Sequence, residues 1–231
     1  MLVAAALCPA PPVLVPAVSR AAAHELDDVR AACAVAIAEL LRHRDCRLTV
    51  VAAGGTRTWS PRAPAGFAAV GLALDVPPLT GAADGGPRLP LALTVGRWLL
   101  AQAGHAGGDD TWCTVDADGA RALGRGMAAS EQRTTMLVLG EGSSAIGPHA
   151  PLLQDDRAPA FDAAVTDVVR GGELTALGAL DSDLATSLGV TGWAPWQALA
   201  SAAGGRAGVG RLLTYGAPYG VGYVVGTWVA R

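Results

Sequence analysis

The chain has 231 residues, half of them apolar, and a net charge of −3 with its charges spread along the sequence. This length predicts a single domain over residues 1–231, and without a basic stripe we expect no nucleic-acid partner. The chain contains arginine but no lysine. This excludes chemistry that needs a lysine, such as a Walker A loop or a pyridoxal-phosphate Schiff base.

The cysteines indicate a reducing compartment. Four cysteines occur without CxxC pairs or metal-like spacing, so neither a disulfide framework nor a cysteine metal site is expected. The first residues have no basic region of a signal peptide, and no apolar run reaches the ~20 residues of a membrane span. We therefore expect a cytoplasmic protein with no membrane partner.

The first elements form a strand–helix–strand unit. An apolar run ending at Cys8 predicts a buried strand, which opens into a proline-rich loop. Apolar residues at three- and four-residue steps predict a helix over residues 21–41, and a β-branched run predicts a strand over residues 48–53. A strand, a helix and a strand in this order predict two parallel strands.

The later patterns alternate in the same way. Residues 60–90 are rich in Pro and Gly, and we expect them to form an insertion or lid with one strand at 67–74. Together the patterns predict an α/β domain with a mixed, mostly parallel sheet, helices on both faces and a β-rich C-terminal end. The other predicted elements are helices over 91–103, 118–128, 159–170, 174–188 (with a break at Gly178) and 193–203, and strands over 112–115, 134–139, 209–214 and 223–229.

Three loops follow predicted parallel strands, and ligands usually bind where such loops converge. We expect a candidate pocket there for a small molecule or small anion. The loop that contains His149, and the side chain of Tyr219, are expected to form further walls of this pocket. Its predicted residues are Cys8, Ala10, Gly55, Arg57, Gly142, Ser143, Ser144, His149 and Tyr219.

Two segments carry a resemblance to a known family. The strand that runs into Cys8-Pro9-Ala10-Pro11-Pro12 and the segment Ala217–Tyr223 resemble the class III extradiol ring-cleavage dioxygenases, of the protocatechuate-dioxygenase beta-subunit type, and the related Memo-like proteins. The resemblance implies an α/β fold. In active relatives it implies Fe(II) on two His and one Glu, with a further His as acid/base and open positions for oxygen and a catechol.

The ligand positions depart from that family. Ala10 stands where the first His is expected, and the loops at 54–57 and 142–145 contain no His where relatives have one. The last fifty residues contain no Glu. The resemblance therefore predicts a divergent member without a metal or other cofactor and without ring cleavage, whose pocket is reused for a small ligand or partner.

The four histidines form no obvious ligand set. We expect His24 and His43 to be solvated on the first helix and His105 to be exposed in a glycine-rich turn. His149 lies in a proline-bracketed loop after the strand over 134–139, so it is the histidine we place at the pocket.

Two other interpretations stay open. A metal-independent enzyme or small-anion site would use the amides and hydroxyls around Ser143 and Ser144 with Arg57 as counter-charge, and Cys8 as a candidate thiolate; the alternative is a tight turn with a capping Ser. An interaction protein, as a homo-oligomer, would use the aromatic C-terminal third. Asp162 and Asp181 are expected near helix starts, where capping explains them. The aromatic set is Trp193, Trp196, Tyr215, Tyr219 and Tyr223.

Overall fold

Apolar runs form the strands of one sheet in the computed structural model, which describes residues 1–231. The sheet has the order β3-β4-β2-β5-β1-β7-β6, with β4, β2, β5 and β1 parallel. The predicted α/β fold with a mixed, mostly parallel sheet and a β-rich C-terminal end is confirmed. The strands are β1 (Leu2–Cys8), β2 (Arg47–Ala53), β3 (Arg57–Trp59), β4 (Thr111–Val115), β5 (Thr134–Leu139), β6 (Gly208–Gly216) and β7 (Tyr223–Ala230).

Helices cover both faces of the sheet, as predicted, because the central strands bury side chains on each side. On one face, Ile37 and Leu93 pack in the same core as Val50. On the other, Val165 and Trp196 pack in the same core as Val51. No helix is both long and apolar enough to cross a membrane. The helices are α1 (Pro16–Ser19), α2 (Asp27–Leu41), α3 (Leu91–Gln102), α4 (Ala117–Ala129), α5 (Ala158–Gly171), α6 (Ser182–Ser187) and α7 (Trp193–Ala203).

Three predicted elements differ from the structure. The helix expected over 21–41 begins as a 3₁₀ segment, Arg20–Leu26, and becomes α-helical at Asp27, whose carboxylate suits a helix start. The strand expected over 67–74 is a 3₁₀ turn, because Gly71 turns the chain with a φ of 78°. The helix expected over 174–188 is a 3₁₀ segment followed by α6, which Asp181 caps through the amides of residues 183 and 184.

The insertion at residues 60–90 is fastened to α3 by a buried arginine. Arg97 donates to the carbonyls of Ala63 at 2.8 Å and Pro61 at 3.0 Å, and its guanidinium lies 5.6 Å from the centre of the Trp112 ring. Burial lowers the pKa of Arg97 to about 10. Phe67 of the insertion is fully buried in the core beside α2 and α3. These contacts anchor the segment to the core, contrary to a free lid.

Candidate functional site

A carboxylate closes the sheet edge between β1 and β5. The carboxyl ends of these parallel strands lie together, since Cys8 is in register with Leu139. The backbone N–H of Ala10 donates to Glu141 Oε1 at 2.8 Å. The N–H of Glu141 donates to Thr191 Oγ1 at 2.8 Å, and the Thr191 hydroxyl donates to the other carboxylate oxygen. We call this arrangement the Glu141 clasp; beneath it Ala10 is only 3% exposed.

The loop after β5 uses its amides inside the chain. Gly142 donates to the carbonyl of Gly222 at 2.7 Å, and Ser144 donates to that of Leu188 at 2.8 Å. The N–H of Ser143 donates at 2.9 Å to Asp162 Oδ1. An anion here would compete for occupied donors and lie beside a carboxyl group, so the predicted anion site at this loop is not formed.

Asp162 is the unexpected residue of this region. Its carboxyl group is fully buried and also accepts the Tyr215 hydroxyl at 3.1 Å. Burial raises the pKa of Asp162 to about 6, although the bonds from Ser143 and Tyr215 oppose the shift. Asp162 is thus part of the core, whereas the sequence placed it only near a helix start, where carboxylates are stabilised. Its position beside Phe161 and Val165 in the buried stripe of α5 was a usable signal.

Cys8 is not a thiolate. The side chain is fully buried, and its contact with the Cys33 thiol, followed by burial, raises the pKa of Cys8 well above its usual range. A neutral thiol in an apolar core is a poor nucleophile. The structure therefore contradicts the suggestion that Cys8 carries nucleophilic chemistry.

Of the tyrosines after β6, Tyr223 lies near the Glu141 carboxylate. Tyr223 is buried, and burial and the Glu141 carboxylate raise its pKa well above the usual range. Tyr219 is half-buried, and burial together with the Glu25 carboxylate raises its pKa. The two phenols are therefore neutral at physiological pH, and the nearest acid to Tyr219 is Glu25 of the Arg20–Leu26 segment.

The tryptophans of the aromatic set belong to the core. Trp196 is fully buried, and the half-buried Trp193 donates its indole N–H to the Leu180 carbonyl at 3.2 Å. The buried Trp196 cannot contact another subunit, whereas Trp193 keeps part of its surface exposed.

Two predicted residues, Gly55 and Arg57, lie away from the clasp. Arg57 is exposed on β3, 4.3 Å from the Trp59 ring centre, and lines a groove of about 350 Å³ with Thr58. Three strand spacings of about 4.8 Å put β3 about 14 Å from β5. Arg57 therefore lies too far away to neutralise an anion bound at Ser143. Gly55 is exposed beside Arg57, and His149 is exposed in its loop.

The residues at this edge do not fit an extradiol iron centre. Fe(II) of that type takes two imidazoles and a carboxylate with open positions. The chain contains no group of three or more His, Cys, Asp or Glu side chains that could hold a metal ion. At the clasp the carboxylate is Glu141, and both its oxygens accept hydrogen bonds from the chain.

A polar groove lies at the opposite, amino-terminal edge of the sheet. Its volume is about 450 Å³, and its walls come from the end of α2, the start of β2 and the turn after α3. His105 Nε2 lies 2.9 Å from Asp110 Oδ2, with side chains only 16% and 6% exposed. The sequence predicted an exposed His105, because the buried acceptor five residues later was not recognised. The polar lining residues include His43, Arg44, Cys46, His105 and Asp110.

The comparisons with known proteins establish a fold and no family. No family model matches the chain, and no curated protein matches it significantly. Among solved structures, it is similar to the uncharacterized protein JW3007 from Escherichia coli K12, with a TM-score of 0.53 and 15% sequence identity. The match covers 99% of this chain and 100% of the other. The likeness therefore extends over the whole chain as a shared fold.

Proposed function

We propose that the chain is a divergent member of the class III extradiol dioxygenase fold that does not cleave aromatic rings and acts by binding. The observation that supports this proposal is the Glu141 clasp: Ala10, which stands where the family resemblance implies the first metal ligand, donates its N–H to a carboxylate that also accepts the Thr191 hydroxyl. A carboxylate that already accepts bonds from Ala10 and Thr191 must lose them before it can coordinate a cation.

The carboxyl edge of the sheet also lacks the arrangement that metal-independent catalysis would need. A general base near a nucleophile is needed for metal-independent acyl transfer, and Ser143 instead accepts the N–H of Ala145 at 3.1 Å and is fully buried. Ser144 donates its hydroxyl to the Gly189 carbonyl at 3.2 Å. These bonds support a turn that holds the fold, and they disfavour the enzyme that would use Ser143, Ser144 and Arg57.

Metal content and ring cleavage test this proposal together. Untagged protein, incubated with Fe(II) without oxygen and then freed of unbound metal, is analysed by inductively coupled plasma mass spectrometry. It is then mixed with protocatechuate and oxygen, and absorbance is followed for a ring-cleaved product. We expect iron well below one atom per chain and no product, also for Ala10→His, because the other ligands are missing. Stoichiometric iron with ring cleavage by the unmodified protein would overturn the proposal.

A second candidate function is self-association through the edge strand β6. The backbone of Gly172 packs against Gly208 and Gly210, but no hydrogen bond joins the backbone of Gly208–Gly216 to any element other than β7. The donors and acceptors on the outer edge of β6 are therefore unpaired. Val209 and Tyr215 are exposed there, and Arg211 is the one charge on the strand. An unpaired edge can add an identical strand antiparallel about a two-fold axis. The occupant we propose is a second copy of this chain.

Light scattering after size-exclusion chromatography tests this second candidate. We expect a dimer for the unmodified protein and a monomer for Val209→Lys, because the lysine introduces charge at the edge. Val35→Lys on α2 is the matched control, since Val35 is equally exposed and lies on a helix. A monomeric unmodified protein, or equal loss of the dimer in both variants, would contradict pairing through β6.

A further inference from the structure

The groove at the amino-terminal edge has the size and lining of a small-molecule site. Its volume of about 450 Å³ falls within the range of ligand pockets. A second cavity of about 390 Å³ adjoins it and shares Arg44, Leu48 and His105 as walls. Its apolar lining residues include Leu40, Leu41, Leu48, Ala103 and Ala106, and its polar lining residues include Arg44, His105 and Asp110.

The groove has one cation without a carboxylate partner. Arg47 is paired with Asp109, and Arg133 with Asp45, so these charges are neutralised nearby. Arg44 is exposed, lines both cavities and forms no ion pair. A guanidinium with all its donors open is suited to a carboxylate or phosphate.

The turn after α3 adds free donors beside this cation. His105 is held by Asp110 through Nε2, and its other ring nitrogen makes no hydrogen bond within the chain. The backbone N–H groups of Ala106, Gly107 and Gly108 donate to no group of the chain either. Successive free N–H groups in a concave turn form a recognised setting for an anion. All of these residues line the two cavities.

We propose that this groove binds a small organic monocarboxylate. The carboxylate is held by Arg44 and by the free N–H groups at residues 106–108, and the apolar body lies against Leu41 and Ala103, which are partly exposed in the groove. A single unpaired cation matches one negative charge, and this apolar wall matches a hydrocarbon body, so a carboxylic acid fits better than inorganic phosphate. This site lies at the edge opposite the Glu141 clasp and is independent of the proposed absence of ring cleavage.

Titration with benzoate tests the proposal, with benzamide as the uncharged analogue and inorganic phosphate as the anion without an apolar body. Amide chemical shifts of the ¹⁵N-labelled protein give both affinity and location. We expect saturable benzoate binding with shifts at residues 106–108, and binding of benzamide and phosphate weaker by about tenfold or more, or 1.4 kcal/mol. Failure of benzoate to saturate, or equal binding of benzamide, would overturn the proposal, as would tighter binding of phosphate.

Two arginine variants test whether Arg44 is the cation that binds the carboxylate. Arg44→Gln should weaken benzoate binding by about tenfold, whereas Arg42→Gln should leave it unchanged. Arg42 is the matched control, because it is exposed two residues away and paired with Glu39. Equal affinities in the two variants would overturn the assignment to Arg44. The unchanged amide spectrum outside the groove checks that both variants are folded.

Discussion

The two edges of one sheet use their polar groups in opposite ways. At the carboxyl edge, N–H groups of the loops after β1 and β5 donate to the Glu141 and Asp162 carboxyl groups and to carbonyls elsewhere in the chain. At the amino-terminal edge, Arg44 and the amides of Ala106 and Gly107 are left without partners beside a cavity of about 450 Å³.

The difference between the two edges indicates that loop chemistry decides whether the carboxyl edge of an α/β sheet can bind a ligand. Loops at the carboxyl ends of parallel strands bind ligands when their donors face an open space. Here the Glu141 carboxylate accepts the N–H of Ala10 and the hydroxyl of Thr191, so it occupies donors from two loops. We call the carboxyl edge with the Glu141 clasp the closed edge, and the amino-terminal edge with the groove the open edge. Substitutions at the closed edge should therefore lower the free energy of unfolding, whereas those at the open edge should chiefly change ligand binding.

Gly222→Ala should have the largest effect, because a methyl group there would overlap the buried carboxyl group of Asp162. The Asp162 side chain would have to shift and weaken its bonds to Ser143 and Tyr215, so we expect a loss of about 3 kcal/mol in the free energy of unfolding. Urea denaturation measures it. Gly216→Ala is the control, since its methyl group would meet nothing within 4 Å. Equal losses in both variants would contradict tight packing at the closed edge.

Asp162→Asn should change how stability depends on pH. Burial raises the pKa of Asp162 from 3.8 to about 6, so the folded state holds its proton more tightly than the unfolded state. Its contribution is complete below about pH 4 and is lost as pH rises to about 6. The wild type should thus lose up to about 3 kcal/mol relative to Asp162→Asn across this window.

Denaturant unfolding at several pH values between 4 and 7 provides the measurement. Asp167→Asn, on the exposed side of the same helix, removes a carboxylate paired with Arg170 and serves as the control. The idea fails if the wild type and Asp162→Asn show the same slope with pH.

Asp110→Ala, at the open edge, should lower the free energy of unfolding by less than the substitutions at the closed edge. The variant removes the acceptor of His105 from a nearly buried position, and we expect a loss of about 1–2 kcal/mol. Asp109→Ala breaks an exposed pair with Arg47 and should cost at most about 1 kcal/mol. Thermal unfolding compares the two, and a larger loss for Asp109→Ala would show that the histidine pair is misplaced.

Arg44→Gln should have the smallest effect on stability, within about 0.5 kcal/mol, because the side chain is exposed and unpaired. The same urea denaturation measures it. A loss above about 1 kcal/mol would mean that Arg44 serves the fold and is not held free for a ligand.

Periodicity was sufficient for the fold, since each central strand and helix buries its own apolar pattern. It could not find β3, because three residues, Arg57–Trp59, carry no period and pair only through contact with β4. It also misjudged the insertion at 60–90, whose anchor Arg97 lies in a helix with no local sign of the carbonyls it binds.

The sites were harder to predict because they depend on contacts distant in sequence. Convergence of Ala10 with the loop at 142–144 follows from parallel strands and could be anticipated. The pairing of Ala10 with Glu141 across 131 positions could not, and neither could the bond from Ser143 to Asp162. The groove joins residues 43–48 with residues 103–110, and no local motif marks that junction.

Amide hydrogen exchange compares the two edges most directly. Under native conditions, we expect slow exchange for Ala10 and Ser143, whose N–H groups donate to buried or half-buried carboxylates. We expect exchange close to the unprotected rate for Ala106, Gly107 and Gly108, whose N–H groups donate to nothing in the chain. If Ala10 exchanged as fast as Gly107, the carboxyl edge would be open, and the claim that the Glu141 clasp closes it would be wrong.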